Sequence, residues 1–237
     1  TYSSPGSACG PGVTASSWPS GRVGAVTDAL VPARDDHLIS IVLASALLRA
    51  ALERLDGCGL PDWFLGAGAV AQTVWNSRYG CADGYGLADL DVVYFDPDLD
   101  AEPERVAHRM VSARLAGLGV KVDVKNQARV HLWYPDSFGS RIRPYGSIQD
   151  AMSTWPTTAT AVGVTMHRGV VTAYSAFGFS DLFAGIVRAN RVQVPRAVYE
   201  EKASRWASVW PQLDVLPWEQ GLGAEGTRLL RGRQGTA

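Results

Sequence analysis

Between residues 35 and 55 the apolar side chains Leu38, Ile41, Leu48, Leu52 and Leu55, with the small Ser45 among them, recur every three or four positions. That spacing places them on one face of a helix, with Asp35 or Asp36 as its cap and Gly57, Gly59 and Pro61 as its stop. Trp63-Phe64-Leu65 predicts a short strand that runs into Gly66-Ala67-Gly68. Helical spacing returns from Ala69 to Tyr79, with Val70, Val74 and Trp75 inward. After a loop from Gly80 to Gly86, alternation from Leu87 to Phe95 predicts a second strand, stopped by Asp96-Pro97-Asp98. Glu102 to Leu118 reads as a helix that Gly119 ends, and Val120 to Val124 alternates as a third strand. Ala159–Met166 and Val170–Tyr174 flank His167-Arg168-Gly169 as a hairpin. Ser180–Ala189 and Pro195–Val209 read as helices, the latter opening on its proline.

Strands that alternate with helices predict an α/β (α+β) fold: a mixed β-sheet core with packing helices and a C-terminal hairpin-plus-helices extension. The expected organisation is one domain over residues 34–218 with its core at about 57–135. Ser-, Gly- and Pro-rich composition marks 1–33 as a flexible leader, and 219–237 reads as a flexible tail.

Composition narrows the class. At 46 % hydrophobic and 19 % charged residues, the chain can bury a real core, which excludes wholesale disorder. Its 22 basic and 23 acidic side chains give a net charge of −1. A chain this neutral carries no global field for nucleic acid, so long nucleic acid is disfavoured as a partner. No apolar run approaches the ~20 residues that span a bilayer. Cys9, Cys58 and Cys81 are odd in number and widely spaced, which suggests lone thiols in a reducing cytoplasm rather than a disulfide framework or a zinc site.

The candidate chemistry lies in the second and third strands. Residues i and i+2 of a strand point to one side, so Asp89 and Asp91 project together while Leu90 and Val92 face the other layer. Two carboxylates on one face repel unless a cation sits between them, and Mg²⁺ favours hard oxygen ligands. Asp123 alternates with Val122 and Val124 and shares that face if the two strands are neighbours. Three such carboxylates suit metal-assisted phosphoryl or nucleotidyl transfer. Gly66 and Gly68, between a strand and a helix, offer backbone N–H groups and a helix N-terminus to an anion. Lys125 and Arg129 are candidates to neutralise triphosphate charge, and Asn126 to orient a substrate hydroxyl. Asn76 is a candidate substrate contact, whereas Trp75, Trp206 and Trp210 read as core and His131 as a half-buried histidine.

This order of strand, Gly-x-Gly, helix, Asp-x-Asp and Asp resembles the nucleotidyltransferase superfamily with its polymerase-β-like fold. The chain is more similar still to a bacterial family of nucleotidyltransferase-like proteins. The strings that carry the likeness are Trp63-Phe64-Leu65-Gly66-Ala67-Gly68-Ala69, Asp89-Leu90-Asp91-Val92-Val93-Tyr94-Phe95-Asp96, Trp155-Pro156-Thr157-Thr158 and Phe177-Gly178-Phe179-Ser180-Asp181-Leu182-Phe183. The resemblance implies Mg²⁺-dependent transfer of a nucleoside monophosphate from an NTP. It assigns the catalytic metal ligands to Asp89, Asp91 and Asp123 and the phosphate turn to Gly66 and Gly68. Many active members place a serine after the first glycine; here Ala67 stands there, which leaves the triphosphate to backbone N–H groups and nearby bases. A small-molecule acceptor is expected, with a tRNA end left open. The alternatives are a nucleotide-binding or regulatory protein on the same fold, and an enzyme of specialised metabolism that reuses the cleft.

Overall fold

The structure, a computed structural model, describes residues 34–223. Two helices open it, α1 (Arg34–Ala44) and α2 (Ala46–Leu55). The apolar face expected from 35 to 55 is there, but the helix is broken at Ser45. The Ser45 hydroxyl accepts from the Leu48 N–H as the cap of α2 and donates to Asp83 Oδ1 at 2.6 Å. A cap needs non-helical backbone, so this serine starts a new helix rather than continuing the old one.

The chain continues through β1 (Phe64–Gly66), α3 (Gly68–Tyr79), β2 (Asp89–Tyr94), α4 (Ala101–Arg114) and β3 (Lys121–Asn126). A short 3₁₀ turn over Gln127–Arg129 leads into α5 (Val130–Phe138), then α6 (Ile148–Met152). A hairpin of β4 (Val162–His167) and β5 (Val170–Ser175) follows, turning on Arg168 and Gly169, both at positive φ. The described chain closes with α7 (Ser180–Ala184), β6 (Ile186–Val187), α8 (Arg196–Val209) and β7 (Asp214–Val215).

β1 to β5 form one mixed sheet in the order β3-β2-β1-β4-β5. Only β2 and β3 run parallel; the other neighbours are antiparallel. This is the mixed α/β architecture expected, and the predicted hairpin sits at its edge. Strand alternation sorts the two faces. Leu65, Leu90, Val92, Tyr94 and Val124 enter the main core with α1, α2, α3 and α8, while Phe64 and Val93 pack on the opposite face against Ile148 and Met152. Burial of the first set anchors the strands, and period two then forces Gly66, Asp91 and Asp123 to the second face.

Several expectations need correction. The helix expected over Ser180–Ala189 ends at Ala184, where Gly185 takes the left-handed conformation, and Ile186–Val187 pairs instead with β7. The third strand runs two residues past its expected end, to Asn126, and the polar residues after it form a tight turn and a helix. Residues 219–223, assigned to the tail by composition, are tied down: the Leu222 N–H donates to the Ala189 carbonyl at 2.8 Å, and the Arg191 N–H to the Leu222 carbonyl at 2.8 Å. The leader at 1–33 and the rest of the tail lie outside the described residues. Cys58 is a buried free thiol as expected, but Cys81 is disulfide-bonded, which isolated cysteines so far apart did not suggest. No helix among the described residues is long and apolar enough to cross a membrane.

Candidate active site

Backbone register builds the centre of the site. In the parallel pair Asp91 lies opposite Asp123; in the antiparallel pair the same Asp91 lies opposite Gly66. Gly66, Asp91 and Asp123 therefore form a row across three adjacent strands, on one face. Asp89, two residues upstream on β2, shares that face but does not line the cavity beside it.

The electrostatics follow from crowding. The Asp91 carboxyl is pushed up from 3.8 to about 6, first by burial and then by the charges of Asp89 and Asp123. Lys202 and Lys125 pull in the opposite direction. Lys125 stands two residues after Asp123 on the same face, and its Nζ lies 3.1 Å from Asp123 Oδ1. The carboxylates are hard oxygen donors on neighbouring strands, a set that suits a small dication. In this geometry, however, no three acidic, histidine or cysteine side chains of the described residues are gathered round one point. An ammonium group already stands on Asp123, as a cation there would.

The glycine turn has two distinct reasons for its composition. Gly66 has ordinary backbone angles, but a Cβ on it would lie 2.7 Å from Cη2 of Trp155. The residue is small because an indole ring occupies the place of its side chain. Ala67 holds φ +49° and ψ −118°, in a region that disfavours a Cβ. Its N–H donates to the Val162 carbonyl at 2.9 Å, which spends one of the donors the turn was expected to offer. α3 starts at Gly68 with no side-chain cap, so the first N–H groups of the helix have no capping oxygen.

Ala67, Asp91, Asp123 and Lys125 open onto a cavity of about 300 Å³. Its walls include Trp133, Tyr134, Tyr145, Trp155, Gln193 and Lys202. These residues come from α5, α8 and the segments between elements, laid over the carboxylate face. Sequence reasoning missed Lys202 and Gln193. The signal for Lys202 was faint: it follows Val198 by four positions, beside the buried stripe of Tyr199, Ala203 and Trp206. Nothing in local pattern says that this helix crosses the carboxylates.

Three expected substrate contacts are elsewhere. Asn76 is buried; its Nδ2 donates to the Tyr85 carbonyl at 2.9 Å and its Oδ1 accepts from Trp210 Nε1 at 2.9 Å. Asn126 is buried and caps the turn after β3, accepting from the N–H groups of Asp96 and Ala128 and donating to the carbonyls of Asp96 and Asp98. Arg129 pairs with Glu104 at 2.8 Å and donates to the Leu99 carbonyl. Each has its hydrogen bonds made within the fold and none lines the cavity. Trp75, Trp206 and Trp210 are core, stacked edge to face, and His131 is half-buried with Nδ1 2.9 Å from the Ala128 carbonyl, as expected.

Comparison with known proteins agrees with this geometry. A search of curated proteins finds none that matches. Among solved structures, an NMR structure described as revealing a CCA-adding enzyme head domain superposes with a TM-score of 0.61. It is 24 % identical and covers 76 % of this chain and 95 % of its own, a likeness that establishes the fold. A family model described as nucleotidyltransferase matches residues 53–215, which span β1 to β7 and every residue of the carboxylate row. With the fold, the row and this match in agreement, the chain belongs to the nucleotidyltransferase family.

Proposed function

We propose that the protein transfers a nucleoside monophosphate from an NTP to the hydroxyl of a small-molecule acceptor, with Mg²⁺ as cofactor. The observation that carries this reading is the row of Gly66, Asp91 and Asp123 across three adjacent strands.

Asp89, Asp91 and Asp123 are the residues that would hold Mg²⁺. Bound there, the ion would neutralise phosphate charge and acidify the acceptor hydroxyl. The chain's own groups account for the rest. The N–H groups at the start of α3 receive phosphate oxygens, with the helix dipole behind them. Lys125 and Lys202 supply positive charge from two sides of the cavity, where charge grows on the leaving pyrophosphate. The acceptor oxygen attacks the α-phosphorus, its proton passes to the Asp123 carboxylate, the bond from the α-phosphorus to the bridging oxygen breaks, and pyrophosphate leaves. The aromatic walls exclude water, which favours an acceptor over hydrolysis.

One observation favours a second reading, nucleotide binding without transfer. Ala67 has no hydroxyl and its N–H is spent on Val162, so the turn offers fewer phosphate donors than its sequence suggests. Incubation of an α-labelled NTP with Mg²⁺ and a metabolite pool, or with tRNA in a parallel arm, separates the readings. Label appearing on an organic acceptor with release of pyrophosphate supports transfer by the proposed route. Label on tRNA moves the acceptor to a nucleic-acid end. Bound NTP with no product under any condition supports the binder.

A further inference from the structure

The cavity wall contains a chain of hydrogen bonds that runs from Gln193 through Tyr145 and Thr154 to the Ala151 carbonyl. The Thr154 hydroxyl donates its one hydrogen to the Ala151 carbonyl at 2.8 Å. It therefore has none left for Tyr145, whose hydroxyl lies 2.9 Å from it. With Gln193 Nε2 donating to it, Tyr145 is the donor in that pair. Its own single hydrogen is then spent, so it can only accept from Gln193, 2.6 Å away. Gln193 presents Nε2 to Tyr145, and turning its carboxamide over requires the Tyr145 and Thr154 hydroxyls to reverse with it and the Thr154 bond to Ala151 to be given up. Tyr134 holds the same residue from the other end, its hydroxyl donating to the Gln193 carbonyl at 3.3 Å. Thr154 and Tyr145 are buried, so these bonds are shielded from competing water.

This arrangement leaves Gln193 Oε1 without a hydrogen-bond partner among the described residues, in a wall that also holds Trp133, Tyr134 and Trp155. Flat apolar walls suit a planar ring. Gln193 lines this cavity with its Oε1 left to accept, and the planar ring that the proposed reaction brings to the cavity is the base of the NTP.

We propose that Gln193, locked by Tyr145 and Thr154, is the specificity-determining residue of this cavity and selects a nucleobase that carries an amino group over one that carries a carbonyl at the same position. Gln193 makes the contact; Tyr145 is a positioning residue that holds the amide by its Nε2. The inference rests on the nucleotidyltransferase reading and names the recognised group within it.

Isothermal titration of the full chain with Mg²⁺ and no acceptor tests this. The probes are two pairs that exchange an amino group for a carbonyl, ATP against ITP and CTP against UTP. A carbonyl facing Gln193 Oε1 leaves both acceptors unpaired, so the wild type should prefer the amino member of at least one pair by about tenfold or more in Kd. In Gln193→Ala the acceptor is gone, and in Tyr145→Phe the amide is free to rotate. In both, the preference should collapse to within about twofold. Because the readout is a ratio within each variant, a general loss of affinity or stability does not imitate it. A wild type with no preference, or with the reverse one, overturns the inference, as does a preference that survives in Gln193→Ala. Failure to bind any of the four NTPs overturns the nucleotidyltransferase reading along with it.

Discussion

Asp91 lies directly opposite Asp123 in the parallel pair β2–β3, on the face that also carries Asp89. Burial and these two neighbours hold the Asp91 proton to about pH 6 in the folded protein, against 3.8 ordinarily. The folded state thus binds that proton more tightly than the unfolded chain does. The resulting stabilisation is complete below the ordinary value and is lost as pH rises through about 6. At neutral pH the charged carboxylate costs at most about 3 kcal/mol. Metal-free Asp91→Asn should therefore melt several degrees above the wild type at pH 7.5, and the difference should vanish near pH 4. Equal melting temperatures at both pH values would show that the carboxylates do not strain one another.

The Gly66 position tests the link between the turn and the cavity wall. A methyl group there would meet Trp155 at 2.7 Å, whereas one at Gly68 meets only the end of the Gln72 side chain at 3.0 Å. Gly66→Ala should lose roughly 1–3 kcal/mol through overpacking and should shift the indole fluorescence. Gly68→Ala should melt within about 1 kcal/mol of wild type, because a side-chain end moves more cheaply than a packed ring. Thermal unfolding with tryptophan emission reads both. Equal effects at the two positions would refute the assignment of Gly66 as the seat of Trp155.

Lys202 joins the site from α8 and counters the charge of Asp91. Lys202→Met keeps the stem and removes the charge. We expect KM for the NTP to rise about tenfold or more, as for loss of a charge-assisted hydrogen bond. The pH of half-maximal activity should also move up, since a group that lowers the Asp91 value is gone. An unchanged KM together with an unchanged pH profile would remove Lys202 from the site.

Asn126 gives the opposite case. Its side chain joins β3 to the segment after β2 through bonds to Asp96 and Asp98, and caps the following turn at Ala128. Asn126→Ala should destabilise the fold by about 2–4 kcal/mol through lost bonds and unpaired buried groups. Measured well below its melting temperature, kcat/KM should stay within about twofold of wild type, because a change under roughly 0.4 kcal/mol is expected from a residue that touches no substrate. A large fall in kcat/KM with unchanged stability would restore the substrate contact read from its sequence position.

The difference between Asp123 and Asn126 shows what was legible in the sequence. Period-two alternation, set by the apolar residues that bury, fixes which side of a strand a residue faces, and it placed Asp89, Asp91 and Asp123 together without any knowledge of the partner strands. Glycine punctuation likewise located the turn before α3. The same reading did not foresee the places of Asn76, Asn126 and Arg129, because neither a position in the helix after the glycine turn nor closeness in sequence to Asp123 says which hydrogen bonds the fold demands. Those three side chains are consumed by capping, by Trp210 and by Glu104. Lys202 and Gln193 were hidden for the complementary reason. They reach the carboxylates only through the tertiary course of the chain after the hairpin, and neither sits in a local pattern that reports it. The break at Ser45 and the early end of α7 are local, but each turns on a single cap that competes with an otherwise helical pattern.

Pyrophosphate release by Asp91→Asn beside the wild type decides whether the carboxylate row carries out nucleotidyl transfer. Both proteins are incubated with Mg²⁺, each of the four NTPs and the acceptor pool, and the folded fraction is confirmed by thermal unfolding. The account predicts Mg²⁺-dependent release by the wild type with at least one NTP, and a loss of a hundredfold or more, about 3 kcal/mol of transition-state stabilisation, in the variant. A folded Asp91→Asn protein that releases pyrophosphate at the wild-type rate would contradict it.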